Sequence, residues 1–128
     1  MKYTGQLNIT AVRGTFTIDT ELIGKMDPYL NIRIGENEFR TVTAKEQGKT
    51  PVWNQTFTCF INGEQHMEIE AWDDDGGNDD YLGKDTISLA QVFQQRQVNG
   101  NFPVYNKKHH EVGKMNIVLV FNPAGAPY

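Results

Sequence analysis

The sequence predicts an all-β sandwich, and three observations carry that prediction. Most of the 128 residues read with a hydrophobic period of two, the periodic segments are short, and clusters of Gly, Asn, Asp and Pro separate them. Strict alternation buries one face of a strand and solvates the other. About eight such segments in a chain of one-domain length fit two packed antiparallel sheets.

Taken in order, "GQLNITAVRG" puts Leu7, Ile9 and Ala11 on one face, and "PYLNIRIG" does the same with Leu30, Ile32 and Ile34. "NEFRTVTA" is a shorter strand. "VWNQTFTCFI" aligns Trp53, Gln55, Phe57 and Cys59, and "MEIEAWD" aligns Met67, Ile69 and Ala71 while Glu68 and Glu70 turn away. "GKDTISL" and "FPVYN" are short strands, and between them "LAQVFQQRQ" is the one helical candidate, brief enough to be a connection. "GKMNIVLVFN" closes the set with Met115, Ile117, Leu119 and Phe121. The Pro- and Gly-rich "NPAGAPY" predicts a flexible tail over residues 122–128, leaving one domain over residues 1–121.

The composition excludes several classes. No apolar run approaches the ~18 residues of a membrane span, and "MKYTGQLNIT" lacks the apolar core of a signal peptide. The single cysteine, Cys59, sits in a predicted strand and fits a buried thiol in a reducing compartment. The net charge of −4 is unevenly spread. Residues 14–28 and 73–82 hold eight of the sixteen acids and, in Lys25, one of the twelve bases, so these two turns carry −7 and the remainder +3. Nucleic acid and anionic surfaces are repelled where the acids cluster.

Both acidic turns directly follow strands, where function commonly sits. Acidic turns are often no more than solvated loops, and "DDDGGNDD" is turn-prone whatever it binds. The pairing of two such loops at strand ends argues for more: five aspartates in eight residues repel one another and suit a hard cation, which takes six to eight oxygen ligands. An EF-hand does not fit, because a loop starting at Asp73 puts Asn78 where glycine is needed and Lys84 where glutamate is needed. Zinc is poorly served by one cysteine and three histidines, and the adjacent His109 and His110 read as a solvated turn. No nucleophile triad, phosphate loop or separated acid–base pair is present, so no catalysis is expected.

The segments "GQLNITAVRG", "GKMDPYLNIRIG", "TPVWNQTF", "MEIEAWDDD" and "DDYLGK" follow one another as in a C2 domain, and the chain resembles that family from about residue 5 to residue 121. It resembles in particular the small single-domain plant proteins of the elicitor-responsive type. The resemblance implies an eight-stranded antiparallel Greek-key sandwich of type II topology, opening on the strand into the first acidic loop and closing with an added strand.

It further implies Ca2+ held between loops at one end of the sandwich, followed by docking on an anionic, phosphatidylserine-like phospholipid membrane. Matched to the family pattern, Asp27 is a first-loop ligand, and Asp73, Asp75 and Asp80 are third-loop ligands. Asp74 offers its carbonyl, and Asp79 is an outer or bridging candidate. The family's remaining first-loop aspartate falls on Glu21, with Asp19 two residues earlier as the alternative. Leu22, Ile23, Lys25 and Met26 form a first-loop tip that would contact the membrane. The expected localisation is cytoplasmic, with peripheral membrane association when calcium binds. The competing reading is a protein-interaction or scaffold module whose calcium sites are degenerate or structural.

Overall fold

A computed structural model of the chain describes residues 2–21 and 24–125. Eight antiparallel strands and one short helix follow in the order β1 (Thr4–Phe16), β2 (Pro28–Ile34), β3 (Asn37–Arg40), β4 (Val52–Asn62), β5 (His66–Asp73), β6 (Asp80–Ser88), α1 (Ala90–Gln95), β7 (Gln97–Tyr105) and β8 (Glu111–Pro123). Their spatial order is β3-β2-β5-β6-β7-β8-β1-β4. β6 and β7 are joined through a single residue pair, Lys84 with Tyr105. The sheet parts at this seam into two four-stranded layers, and the added strand β8 lies between β7 and β1.

The alternating residues meet between the layers. Leu7, Ile9 and Ala11 of β1, Leu30, Ile32 and Ile34 of β2, Met67, Ile69 and Ala71 of β5, and Met115, Ile117, Leu119 and Phe121 of β8 are all buried. Each large aliphatic side chain taken from water contributes about 1.5–3 kcal/mol before conformational entropy is subtracted. Phe39 of β3 stacks on Phe57 of β4 at 5.2 Å, linking strands at opposite ends of the spatial order. The helix buries Val92 and Phe93 and stops where Arg96 takes a left-handed conformation, its N–H bonded to the Val92 carbonyl.

Three boundaries differ from the sequence prediction, each for a physical reason. The predicted tail begins too early: Asn122 and Pro123 still pair with Gln6 and Gly5, and Ala124 donates to the Thr4 carbonyl. Gly5 makes that pairing possible, since a Cβ there would lie 2.3 Å from the Asn122 carbonyl oxygen. The remainder of the tail, residues 126–128, lies outside the described residues. β7 starts at Gln97 rather than Phe102, because Gly100 interrupts its apolar face and the Phe102 ring fills the space a side chain would take. β3 ends at Arg40, and the buried Thr41 then turns inward, its hydroxyl accepting the Leu30 N–H at 2.9 Å.

The "PVWN" motif anchors the functional end. The β1–β4 register shifts between Ala11 and Arg13, and Asn54 takes φ 48°, a left-handed conformation that asparagine tolerates better than most residues. Trp53 is turned inward, and its indole N–H donates to the Pro28 carbonyl at 3.0 Å in a buried setting. Trp53→Phe removes that bond, leaving the Pro28 carbonyl with the Ala44 N–H at 2.8 Å alone, and shrinks the packed ring. The expected outcome is a loss of about 1–3 kcal/mol in urea unfolding with an unchanged m-value.

Candidate functional site

Antiparallel pairing brings the two acidic loops together. β1 leads into the first loop, β5 and β6 flank the third, and Pro28 pairs directly with Asp73. Asp73 therefore closes a buried strand face: it is the fourth inward position after Met67, Ile69 and Ala71, and it is fully buried. A carboxylate in that position needs partners. It accepts the Asp27 N–H at 2.8 Å and the Thr20 hydroxyl at 2.7 Å, both from the first loop.

Around Asp73 one carboxylate oxygen each from Glu21, Asp73, Asp75 and Asp80 converge, all within 4.8 Å of one another. Calcium–oxygen distances of about 2.3–2.6 Å set opposite ligands about 4.6–5.2 Å apart, so four oxygens this close can share one calcium-sized coordination sphere. The donors are all hard oxygens, with no thiolate or imidazole in the group. Residues and ion chemistry fit.

The other acidic side chains have different partners. Asp19 is exposed, and its carboxylate accepts the Glu21 N–H at 3.0 Å in a local turn. It is Glu21 that joins the converging carboxylates. The Asp27 carboxylate accepts the Glu46 N–H at 2.5 Å and stays outside the group of four, while the Asp27 carbonyl accepts the Asp74 N–H at 2.9 Å. The Asp74 carboxylate is held by the Thr43 hydroxyl at 2.9 Å and the Gly76 N–H at 3.0 Å, with the Arg40 guanidinium at 3.5 Å. Asp79 accepts the Tyr29 hydroxyl at 2.5 Å and the Asp75 N–H at 3.0 Å.

These partners form a supporting layer that sequence reasoning did not single out. Arg40 covers the Tyr29 ring at 3.7 Å while reaching Asp74, and Tyr29 in turn holds Asp79. Tyr29 stood inside the "MDPY" motif and so carried a signal. Thr20, Thr43 and the Glu46 N–H carried none, because their roles depend on long-range pairing. The first-loop tip needs a correction: Met26 is fully buried in the core, so it is no membrane contact. A thioether that fills the space beneath the loop is satisfied by packing. Lys25 is exposed, and Leu22 and Ile23 lie outside the described residues.

Crowding of like charges governs protonation. The Glu21 carboxyl is pushed up to about 7, chiefly by hydrogen bonds shared with Asp73 and Asp75 and further by their charges. Asp80 is raised by the same kind of sharing with Asp75. Asp79 is lowered by the Tyr29 hydroxyl, and burial together with that bond pushes Tyr29 up to about 12. The metal-free cluster thus holds a proton near neutrality that a cation would displace.

The fold and this site can be set beside known proteins. Residues 5–104 match the family model described as "C2 domain". Elicitor-responsive protein 1 of Oryza sativa subsp. japonica is 30% identical over 112 residues, 77% of this chain and 70% of that protein. The solved structure of a C2 domain-containing protein from an elicitor-responsive gene superposes with a TM-score of 0.84 at 27% identity, covering 99% of this chain and 96% of that one. The calcium-bound pair of C2 domains from Extended-Synaptotagmin 2 gives a TM-score of 0.80 at 28% identity, over 93% of this chain and 46% of that one. Among the described residues no helix is long and apolar enough to cross a membrane. With the family model spanning most of the chain and the eight-stranded sandwich agreeing, this protein belongs to the C2 domain family.

Proposed function

We propose that the chain is a non-catalytic, calcium-dependent phospholipid-binding module that works as an electrostatic switch. One observation carries this reading: Glu21, Asp73, Asp75 and Asp80 bring four carboxylate oxygens within 4.8 Å of one another at the loop end of the sandwich. Asp27 and the Asp74 carbonyl complete the ligand set once the Asp27 carboxylate exchanges the Glu46 N–H for metal. Similarity to a calcium-bound C2 structure supports the choice of ion.

Without metal, the two acidic loops carry −7 and repel an anionic leaflet. Two calcium ions would reduce that to about −3, and open coordination positions then accept lipid phosphate or carboxylate oxygens. Lys25, exposed in the first loop, meets the headgroups, with the apolar Leu22 and Ile23 as its sequence neighbours. The proposed localisation is cytoplasmic and peripheral to the membrane.

Co-sedimentation with phosphatidylserine vesicles tests the switch. The expected result is recovery with the vesicles in calcium and release on chelation, with binding weakened by added salt. Equal partitioning in both conditions would instead indicate a calcium-independent interaction module.

A further inference from the structure

The strand order ends in two edges, β3 and β4, and they are protected unequally. A free edge offers unpaired N–H and C=O groups to any other strand, and proteins usually blunt it with charge, proline or a bulge. β3 is short and carries Glu38 and Arg40. β4 reads "VWNQTFTCFIN" over its full length, without a charge or a proline. Its register with β1 is unbroken from Gln55 to Asn62, so no bulge twists that part of the edge away.

The exposed apolar side chains gather at the same strand. Among the described residues the large hydrophobics left exposed are Phe60 at 62%, Val42 at 55% and Val52 at 43%. Phe60 and Val52 belong to β4, and the Val42 N–H donates to the Gln55 side chain of β4 at 2.7 Å. One backbone bond fixes which groups face the free edge. The Gly63 N–H donates to the Tyr3 carbonyl at 2.9 Å, one step beyond the Thr4–Asn62 pair. Bonded and unbonded pairs alternate along an antiparallel ladder, so Phe57, Cys59 and Ile61 bond to β1. Thr56, Thr58 and Phe60 therefore turn their N–H and C=O groups outward. Asn62 has the same parity, and its N–H indeed points away from β1, to the Glu64 carboxylate at 2.6 Å.

We propose that this edge is a self-association surface, on which a second copy of the chain pairs antiparallel, β4 against β4, about a two-fold axis beside Thr58. Thr58 then faces Thr58 of the second copy, and Thr56 faces Phe60, so the outward N–H and C=O groups satisfy one another. Charge selects the occupant. A two-fold axis sets a strand against itself, so a charged edge would meet like charge, whereas this one has none to repel its copy. The neutrality extends inward: residues 4–10 of β1 and 116–122 of β8 are also uncharged, in a chain that is 22% charged. The start of β4 lies at the acidic end, where the Phe16 N–H donates to the Lys49 carbonyl at 2.8 Å. Antiparallel pairing therefore points the two acidic ends, each −7, in opposite directions. Over residues 54–62 the contact is about 30 Å long and one strand deep. That is less than the about 800 Å² per copy of a standard interface, so the dimer is weak and forms at high local concentration.

Sedimentation velocity of the full chain, in chelator and reductant from micromolar to millimolar concentration, tests the pairing without calcium or membrane. The expected result is a reversible monomer–dimer equilibrium. Thr58→Lys/Phe60→Lys should weaken it at least about tenfold, by setting like charges across the axis and removing the Phe60 ring. Both positions are exposed, so the variant should fold as the wild type does. Gln97→Lys/Asn99→Lys adds the same charge to the same layer at β7 and should leave association within about twofold. Amide exchange of the unaltered chain reads the register independently of any variant. Protection should grow with concentration at Thr56, Thr58 and Phe60, and stay constant along β3. A monomer at every concentration, equal weakening in both variants, or protection that grows on β3 instead of β4 would each overturn the pairing.

Discussion

Replacing Asp75 and Asp80 together with asparagine is expected to abolish calcium binding while raising the melting temperature of the metal-free chain. The two effects have opposite signs because the same carboxylates serve opposing demands. In the absence of metal, four carboxylate oxygens within 4.8 Å of one another repel, and the Glu21 and Asp80 carboxyls are raised, chiefly by the hydrogen bonds their protonated forms share with neighbouring carboxylates and further by those charges. Asparagine keeps the shape and one acceptor oxygen while removing the charge, so the apo chain gains stability. Even a group that merely supports a metal ligand costs 10–100-fold in affinity when lost, so two direct ligands should cost more than about 100-fold. For the wild type, calcium at about 100 times Kd adds about 2.7 kcal/mol, or roughly 10 °C for a domain of this size. The double variant should melt higher than wild type in chelator and show no calcium shift by differential scanning calorimetry. A full calcium shift in the variant would remove these residues from the site. Asp73 is a poorer choice for such a test, because its carboxylate also ties the Asp27 N–H and the Thr20 hydroxyl.

Alternation carried most of the fold, and it failed where a strand lacked side chains to display it. Leu7, Ile9 and Ala11, or Met67, Ile69 and Ala71, declare their strands because each faces the core at every second position. Gly100 silences the start of β7, and the proline at 123 suggested an end that Gly5 postpones by admitting the Asn122 carbonyl. In the site, the third-loop aspartates were legible from their density. Choosing between Asp19 and Glu21 was not, since both lie in one loop and only the turn through the Glu21 N–H sends them to different partners. The apolar character of Met26 was equally ambiguous, because hydrophobicity alone does not distinguish a side chain under a loop from one above it. The basic turn at residues 107–110 gave the least away: its chemistry was visible, but its position beside the acidic loops follows from β8 pairing with β1.

Acidification is expected to stabilise the metal-free chain and to weaken its calcium binding, both through Glu21. Its carboxyl rises from an ordinary 4.5 to about 7 on folding, because Asp73 and Asp75 share hydrogen bonds with its protonated form. Between those two values the folded chain holds a proton that the unfolded chain has released. That contribution to stability is complete below about pH 4.5 and is lost as pH rises through 7. Melting temperature in chelator should therefore fall as pH rises from 5 to 8, at least as far as this group sets it. A bound cation requires the ionised carboxylate, so it must displace the same proton. Calcium affinity should then rise about tenfold between pH 6 and pH 8, with nearly one proton released per binding event at the acid end. Calorimetric titrations in buffers of different ionisation enthalpy count that proton directly. Glu21→Gln holds the neutral form permanently and should flatten both dependences together. An unchanged proton count in that variant would assign the coupling to Asp80, the other carboxyl raised by its neighbours, and leave Glu21 as a bystander to the titration.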